Sequence, residues 1–138
     1  MRVLIDTNVV LDYIAKREPY AAHAYKIVKM CSGREINGCI AAHTVLNLFY
    51  ILRKDLSVDE RRITIKKLCR VFDVIGVDIV KIMSALDNDS FDDFEDCMQF
   101  ECALDFGSDY VITRNISDFT GGNIKAITPS DFLAIVNR

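Results

Sequence analysis

The apolar run Val3-Leu4-Ile5 stops abruptly at Asp6-Thr7-Asn8 and resumes at Val9-Val10-Leu11. This predicts a short buried strand over Arg2 to Ile5 and a helix over residues 7–15, broken at Glu18-Pro19. Ala21, Ala24, Tyr25, Ile27, Val28 and Cys31 recur at helical spacing, predicting a helix over 20–32 that ends at Gly33. Asn37 to Ile40 reads as a second strand. From Ala41 to Arg53 the pattern is again helical, with Val45, Leu48, Phe49 and Leu52 on one side. Ser57 with Glu60 has capping-box spacing for a helix over 58–70. A third strand is expected around Asp73-Val74-Ile75, then a short helix over 78–86. Asp92 with Glu95 repeats the capping spacing and opens a helix to about Asp105, ended by Gly107. Asp109 to Ile112 is a fourth strand and Lys125 to Ile127 an edge strand. Pro129 sits in the first turn of a last helix over 129–136.

Strands alternating with helices predict an α/β sandwich on a mainly parallel sheet. No repeat, low-complexity stretch or linker interrupts the 138 residues, so a single domain over 1–138 is expected. With 51% hydrophobic residues, six Gly and two Pro, the chain suits a filled core with long elements and short loops. Its apolar runs are much shorter than a membrane span, and it does not open on a leader-like pattern, which points to a cytoplasmic protein. Five cysteines at positions 31, 39, 69, 97 and 102 are an odd, irregular set, as expected of reduced buried thiols. His23, Cys31, Cys39 and His43 lack the close paired spacing of a zinc site.

The net charge of −3 argues mildly against a nucleic-acid partner, but it averages two unlike regions. Residues 53–70 hold seven basic and three acidic side chains, a local net of +4. Residues 87–109 hold nine acids and no Lys or Arg. That density of like charge requires something to offset it.

In open parallel sheets, ligands bind outside the carboxyl ends of the strands. Asp6, Thr7 and Asn8 follow the first strand. Thr113-Arg114-Asn115 and then Asp118 follow the fourth, and Asp93 and Asp96 lie three apart at the start of the preceding helix. Two carboxylates about 4 Å apart repel by roughly 4 kcal/mol at an effective dielectric near 20. Three would endanger a domain with about 5–15 kcal/mol of stability. A hard divalent cation, Mg²⁺ or Mn²⁺, removes that repulsion, binds oxygen ligands and polarises phosphates. Each acid also has an ordinary reading. Acids in a first helical turn are favoured by the helix dipole, Asp6 suits a helix cap, and Asp118 suits an Asx turn. The basic stretch would equally serve as a solvated helix face. The joint pattern, not any one residue, points to a metal site.

Four blocks in order carry a resemblance: LIDTNVVLDYI, AAHTVLNLFYILRK, DFEDCMQFECALDFGSDYVITRN, and the closing SDF and TPSDF. Together they resemble a PIN domain over nearly the whole chain, and most of all the VapC-type toxins of bacterial toxin–antitoxin pairs. The resemblance implies a three-layer α/β/α sandwich with a central, mainly parallel sheet. It also implies a Mg²⁺- or Mn²⁺-dependent endoribonuclease, a small cognate antitoxin protein and a homodimer, with no membrane involvement. By motif match, Asp6 is the first family acid and Asp96 the third, with Asp93 beside it. The fourth position falls on Asn115 or Asp118; Asp118 is taken as the catalytic carboxylate, and Asn115 as a hydrogen-bonding or water-mediated ligand. Thr7, Asn8 and Thr113 would orient acids and bound water. The second family acid, normally Glu, falls on Asn47, which carries no charge.

Two functions of different class follow. One is an active toxin ribonuclease with Asp6, Asp96 and Asp118 as catalytic acids. Its RNA backbone contacts would come from Arg62, Lys66 and Arg70, four apart on one helix side, with Arg53 and Arg114 nearer the metal. The other is a PIN module that binds RNA or a partner protein without cutting, for which Asn47 is the argument. A phosphatase of the haloacid-dehalogenase kind would need a second Asp where Asn8 stands. The apolar helices between residues 20 and 54, with Tyr25, Val28, Phe49 and Tyr50, are candidates for a dimer face.

Overall fold

The computed structural model describes residues 1–137. Its strands are β1 (Arg2–Ile5), β2 (Asn37–Ala41), β3 (Asp73–Ile75), β4 (Tyr110–Ile112) and β5 (Lys125–Ile127). Every neighbouring pair is parallel, in the order β3-β2-β1-β4-β5, so the expected edge strand is indeed an edge. The helices are α1 (Thr7–Ile14), α2 (Ala21–Ser32), α3 (Ala42–Ile51), α4 (Val58–Val71), α5 (Ile79–Asp87), α6 (Phe94–Phe106) and α7 (Pro129–Val136). The chain runs outward from β1 through β2 to β3, then starts again beside β1 with β4. Strand order therefore reverses between β1 and β4, and their carboxyl ends open the crevice that serves as a ligand site in such sheets.

Successive strand residues point to opposite faces, and both faces here are apolar. Val3, Ile5, Ile40 and Ile112 pack with Val9 of α1, Ile27 of α2 and Phe132 of α7. Leu4, Cys39, Ala41 and Val111 pack on the other face with Cys102 and Ala103 of α6. A sheet buried on both sides gives the three layers that the sequence resemblance implies. All five thiols are free, and burial pushes those of Cys31 and Cys39 up to about 12.

Local chemistry sets the helix ends. Ser57 and Glu60 exchange the two hydrogen bonds of a capping box at the start of α4. Thr128 caps α7 with Pro129 in its first turn, and Gly107 closes α6 at φ 73°. Asp93, rather than Asp92, caps α6: its Oδ1 accepts from the Asp96 backbone N–H at 2.9 Å. Both aspartates precede an acid by three residues, so the spacing alone does not separate them. A 3₁₀ turn over Leu52–Lys54 ends α3 two residues earlier than the periodicity suggests. A second 3₁₀ turn, Ile116–Phe119, carries Asp118. The loop after it lies tight on the molecule, since a Cβ at Gly121 would meet the Ser90 carbonyl and one at Gly122 the Phe100 ring. Val28 is a core residue at 4% exposure and is unavailable to a dimer face. Among the described residues, no helix is long and apolar enough to cross a membrane.

Candidate metal and acid cleft

Asp6 follows β1 directly and stands in the N-cap position of α1, yet its side chain makes no capping hydrogen bond. Its carboxylate is turned elsewhere. Oδ1 accepts from Gln99 Nε2 at 3.0 Å, and Oδ2 accepts from the Thr113 hydroxyl at 2.9 Å. Thr113 in turn accepts the Asn115 backbone N–H at 2.9 Å. With Asp6 4% exposed, these two donors fix a buried carboxylate whose remaining lone pairs are free to bind a cation.

This carboxylate forms one wall of a cleft of about 330 Å³, lined also by Thr7, Asn8, Asn47, Tyr50, Ile51, Glu95, Asp96 and Gln99. Asp96 comes from the first turn of α6. Burial above all, then the charges of Asp93, Asp6, Asp118 and Glu95, pushes its carboxyl up to about 7. Gln99, one turn further along α6, is 1% exposed, and its Oε1 has no hydrogen-bond partner. An unsatisfied buried amide oxygen of this kind costs about 1–3 kcal/mol. Asn47, on α3, donates from Nδ2 to Glu95 Oε1 at 2.8 Å.

Among the described residues, no three His, Cys, Asp or Glu side chains are gathered closely enough to hold an ion as they stand. The donor set nevertheless suits a hard cation. Its groups are oxygens, Lys and Arg are absent from the lining, Asp96 resists ionising without a counter-charge, and Gln99 presents an unused acceptor. Mg²⁺ characteristically takes one or two carboxylates and keeps several waters, so it does not need a three-acid cage.

The other expected site residues are dispersed around this cleft. Asp118 and Asn115 are exposed on the turn after β4 and do not line it, though the Asp118 charge reaches Asp96. Asp93 spends one oxygen capping α6. Thr7 shares a hydrogen bond with Thr44 at 2.9 Å, tying α1 to α3 rather than orienting an acid. Arg114 is held by Asp12, with Nε to Oδ2 at 2.7 Å and Nη2 to Oδ1 at 3.3 Å, and lies over the Tyr20 ring. It serves the fold before any phosphate. Arg53 stacks 4 Å or closer on the ring of Tyr50, at 3.7 Å, and Tyr50 is a lining residue 64% exposed. Arg62, Lys66 and Arg70 are exposed along α4, with Arg62 only loosely paired to Asp59 at 3.8 Å. Sequence reasoning missed Gln99 and Glu95 as cleft residues. Gln99 lies three residues after Asp96, and that helical spacing was the available signal.

A larger cleft of about 660 Å³ lies between α1, α2 and α4, lined by Tyr13, Ile14, Ala21, Tyr25, Val28 and Leu68 with Lys16, Lys26 and Lys67 among its polar residues. It is mainly apolar and lacks an acid cluster.

A family model described as PIN domain matches residues 2–117. No curated protein matches the chain. Among solved structures, a VapBC2 complex from Rickettsia felis bound to a DNA fragment from its promoter is similar at TM-score 0.72 and 13% identity, covering 93% of this chain and 98% of that one. A toxin–antitoxin complex from Klebsiella pneumoniae is similar at 0.69 and 21% identity, covering 92% and 97%. DNA-bound VapBC from Salmonella typhimurium is similar at 0.68 and 16% identity, covering 94% and 98%.

Proposed function

Since the chain belongs to the PIN domain family, we propose that it is a Mg²⁺- or Mn²⁺-dependent endoribonuclease, the VapC-like toxin of a type II toxin–antitoxin pair. The observation that carries this reading is the Asp6 carboxylate, which is buried and held from both sides by Gln99 and Thr113, in a cleft it shares with Asp96. Asp6 and Asp96 would hold the cation. Asp118 completes the acid set from the turn after β4, with Asp93 beside Asp96 and Asn115 tied to Thr113. When bound, the cation would polarise a phosphodiester and make water a better nucleophile near neutral pH.

The protein's own groups supply the rest. Gln99 and Thr113 keep Asp6 from turning back to cap α1. Tyr50, backed by the Arg53 guanidinium, offers an aromatic face at the mouth of the cleft on which a base of single-stranded RNA would stack. Arg62, Lys66 and Arg70 would follow the backbone by charge alone. The apolar cleft between α1, α2 and α4 suits a segment of a small antitoxin. Ile79, Val80, Met83 and Leu86 of α5 are all exposed and suit a second copy of the chain in a homodimer. The cytoplasm is the compartment this reading requires.

The second reading, a PIN module that binds RNA or a partner without cutting, is favoured by the uncharged Asn47 in the cleft. RNA cleavage with and without Mn²⁺ decides between them. The protein freed of any copurified antitoxin should cut single-stranded RNA only with metal, and Asp6→Asn or Asp96→Asn should abolish cutting. Failure to cut several RNAs would favour the binding module. Cutting that survives both substitutions would belong to a contaminant.

A further inference from the structure

Asn47 is the one cleft residue on α3 with a side-chain amide, and it is not idle. Its Nδ2 donates to Glu95 Oε1 at 2.8 Å across 48 positions of sequence. An acid in the first turn of α6 is favoured by the helix dipole wherever its side chain points. Here the carboxylate is instead drawn to the α3 wall of the cleft, where it faces the space that Asp6 and Asp96 also line. That contact uses one Glu95 oxygen and leaves the other, with the Asn47 amide oxygen, without a hydrogen bond among the described residues. Gln99 is an independent sign of a ligand in the same place: it lines the cleft at 1% exposure, and its buried Oε1 has no hydrogen-bond partner.

We infer that Glu95, positioned by Asn47, is a third carboxylate of the cleft lining that serves the cation site, in addition to Asp118 on the turn outside it. The inference rests on reading the cleft as a cation site. The other two acids lining the cleft, Asp6 and Asp96, would just balance a divalent ion, whereas a third carboxylate at the lining adds surplus charge that raises affinity, directly or through a coordinated water. Asn47 is then a positioning residue, which acts through Glu95.

The test is Mn²⁺ binding by calorimetry and by Mn²⁺ electron paramagnetic resonance, without any RNA. Wild-type protein should bind Mn²⁺, and Asp6→Asn should lose binding. Glu95→Gln should weaken it by about ten-fold or more, within the range for groups that support metal ligands. Asn47→Ala should weaken it less. The double variant Asn47→Glu with Glu95→Gln, which returns a carboxylate to α3, should recover most of the affinity. Glu95 is exposed, so the metal-free melting temperature of Glu95→Gln should match the wild type, which separates a role in binding from one in folding. If Asp6→Asn abolishes binding while Glu95→Gln binds as the wild type does, Glu95 has no part and the cation-site reading survives. If the wild type does not bind Mn²⁺, both fall.

Discussion

Thr113 donates its hydroxyl to Asp6 Oδ2 at 2.9 Å, joining residues 107 positions apart at the ends of two adjacent parallel strands. The same hydroxyl accepts the Asn115 N–H, so one oxygen links the first acid to the turn that carries Asp118. Replacing it with the isosteric Thr113→Val removes a charge-assisted hydrogen bond and leaves Asn115 N–H without its acceptor. The expected loss is about 1.5–3 kcal/mol of stability and about 10–100-fold in Mn²⁺ affinity, read by urea unfolding and by metal titration.

Asp96 makes metal-free stability depend on pH. Its folded carboxyl titrates at about 7, above the ordinary 3.8, so between those values the folded state binds more protons than the unfolded chain. Its contribution is therefore fully present below about pH 4, is lost as pH rises towards 7, and stays lost above. Asp96→Asn should remove this slope and stabilise the metal-free protein at pH 8 by about 1–2 kcal/mol, a figure discounted because the group is part-exposed. His43 works in the opposite sense. Burial lowers its pKa from 6.5, so its contribution is present above about 6.5 and is lost as pH falls. Comparing melting curves of Asp96→Asn and wild type in EDTA, from pH 5 to 9, isolates Asp96 from that opposing slope.

Two arginines near the cleft should behave differently. Arg114 neutralises Asp12, which is 1% exposed, so Arg114→Ala strands a buried charge and should cost about 3–5 kcal/mol. Arg53 lies on an exposed ring. Arg53→Ala should melt near the wild type, weaken binding of single-stranded RNA, and lower the slope of log affinity against log salt by about 1. An Arg114→Ala protein as stable as the wild type would show that the Asp12 pair does little for the fold.

Gly122 lies against the Phe100 ring with no room for a Cβ. Gly122→Ala should push the 116–119 turn off α6 and lower stability by about 1–3 kcal/mol. Calorimetry would measure the loss. Gly76, which has open space around it, is the control: Gly76→Ala should change little.

The fold was legible because both signals were strong. Short continuous apolar runs, buried on both faces in β1 and β2, alternate with longer helical segments, and Ser57–Glu60, Gly107 and Pro129 mark ends that the structure keeps. The position of Asp6 beside Asp96 was legible for a topological reason, since both follow or face the carboxyl ends of central strands. What could not be read were pairings that depend on side-chain direction. Asn47 and Glu95 meet 48 residues apart, and no local pattern records that. Gln99 sits in the fully buried stretch Cys97–Phe100, where a polar residue looks like an interruption until its partner is known. Arg114 looked available because the buried Asp12 on α1 that claims it reads, in sequence, as one more surface acid.

The order β3-β2-β1-β4-β5 has a consequence for synthesis on the ribosome. While only the first 109 residues have emerged, β1 has β2 on one side and an open edge on the other, because β4 has not yet been made. Asp6 then lacks Thr113, and the turn bearing Asp118 does not exist. The cleft around Asp6 is therefore a late feature of folding: its walls exist as soon as β1 and α6 do, but the Thr113 bond that fixes the carboxylate forms only when β4 docks beside β1.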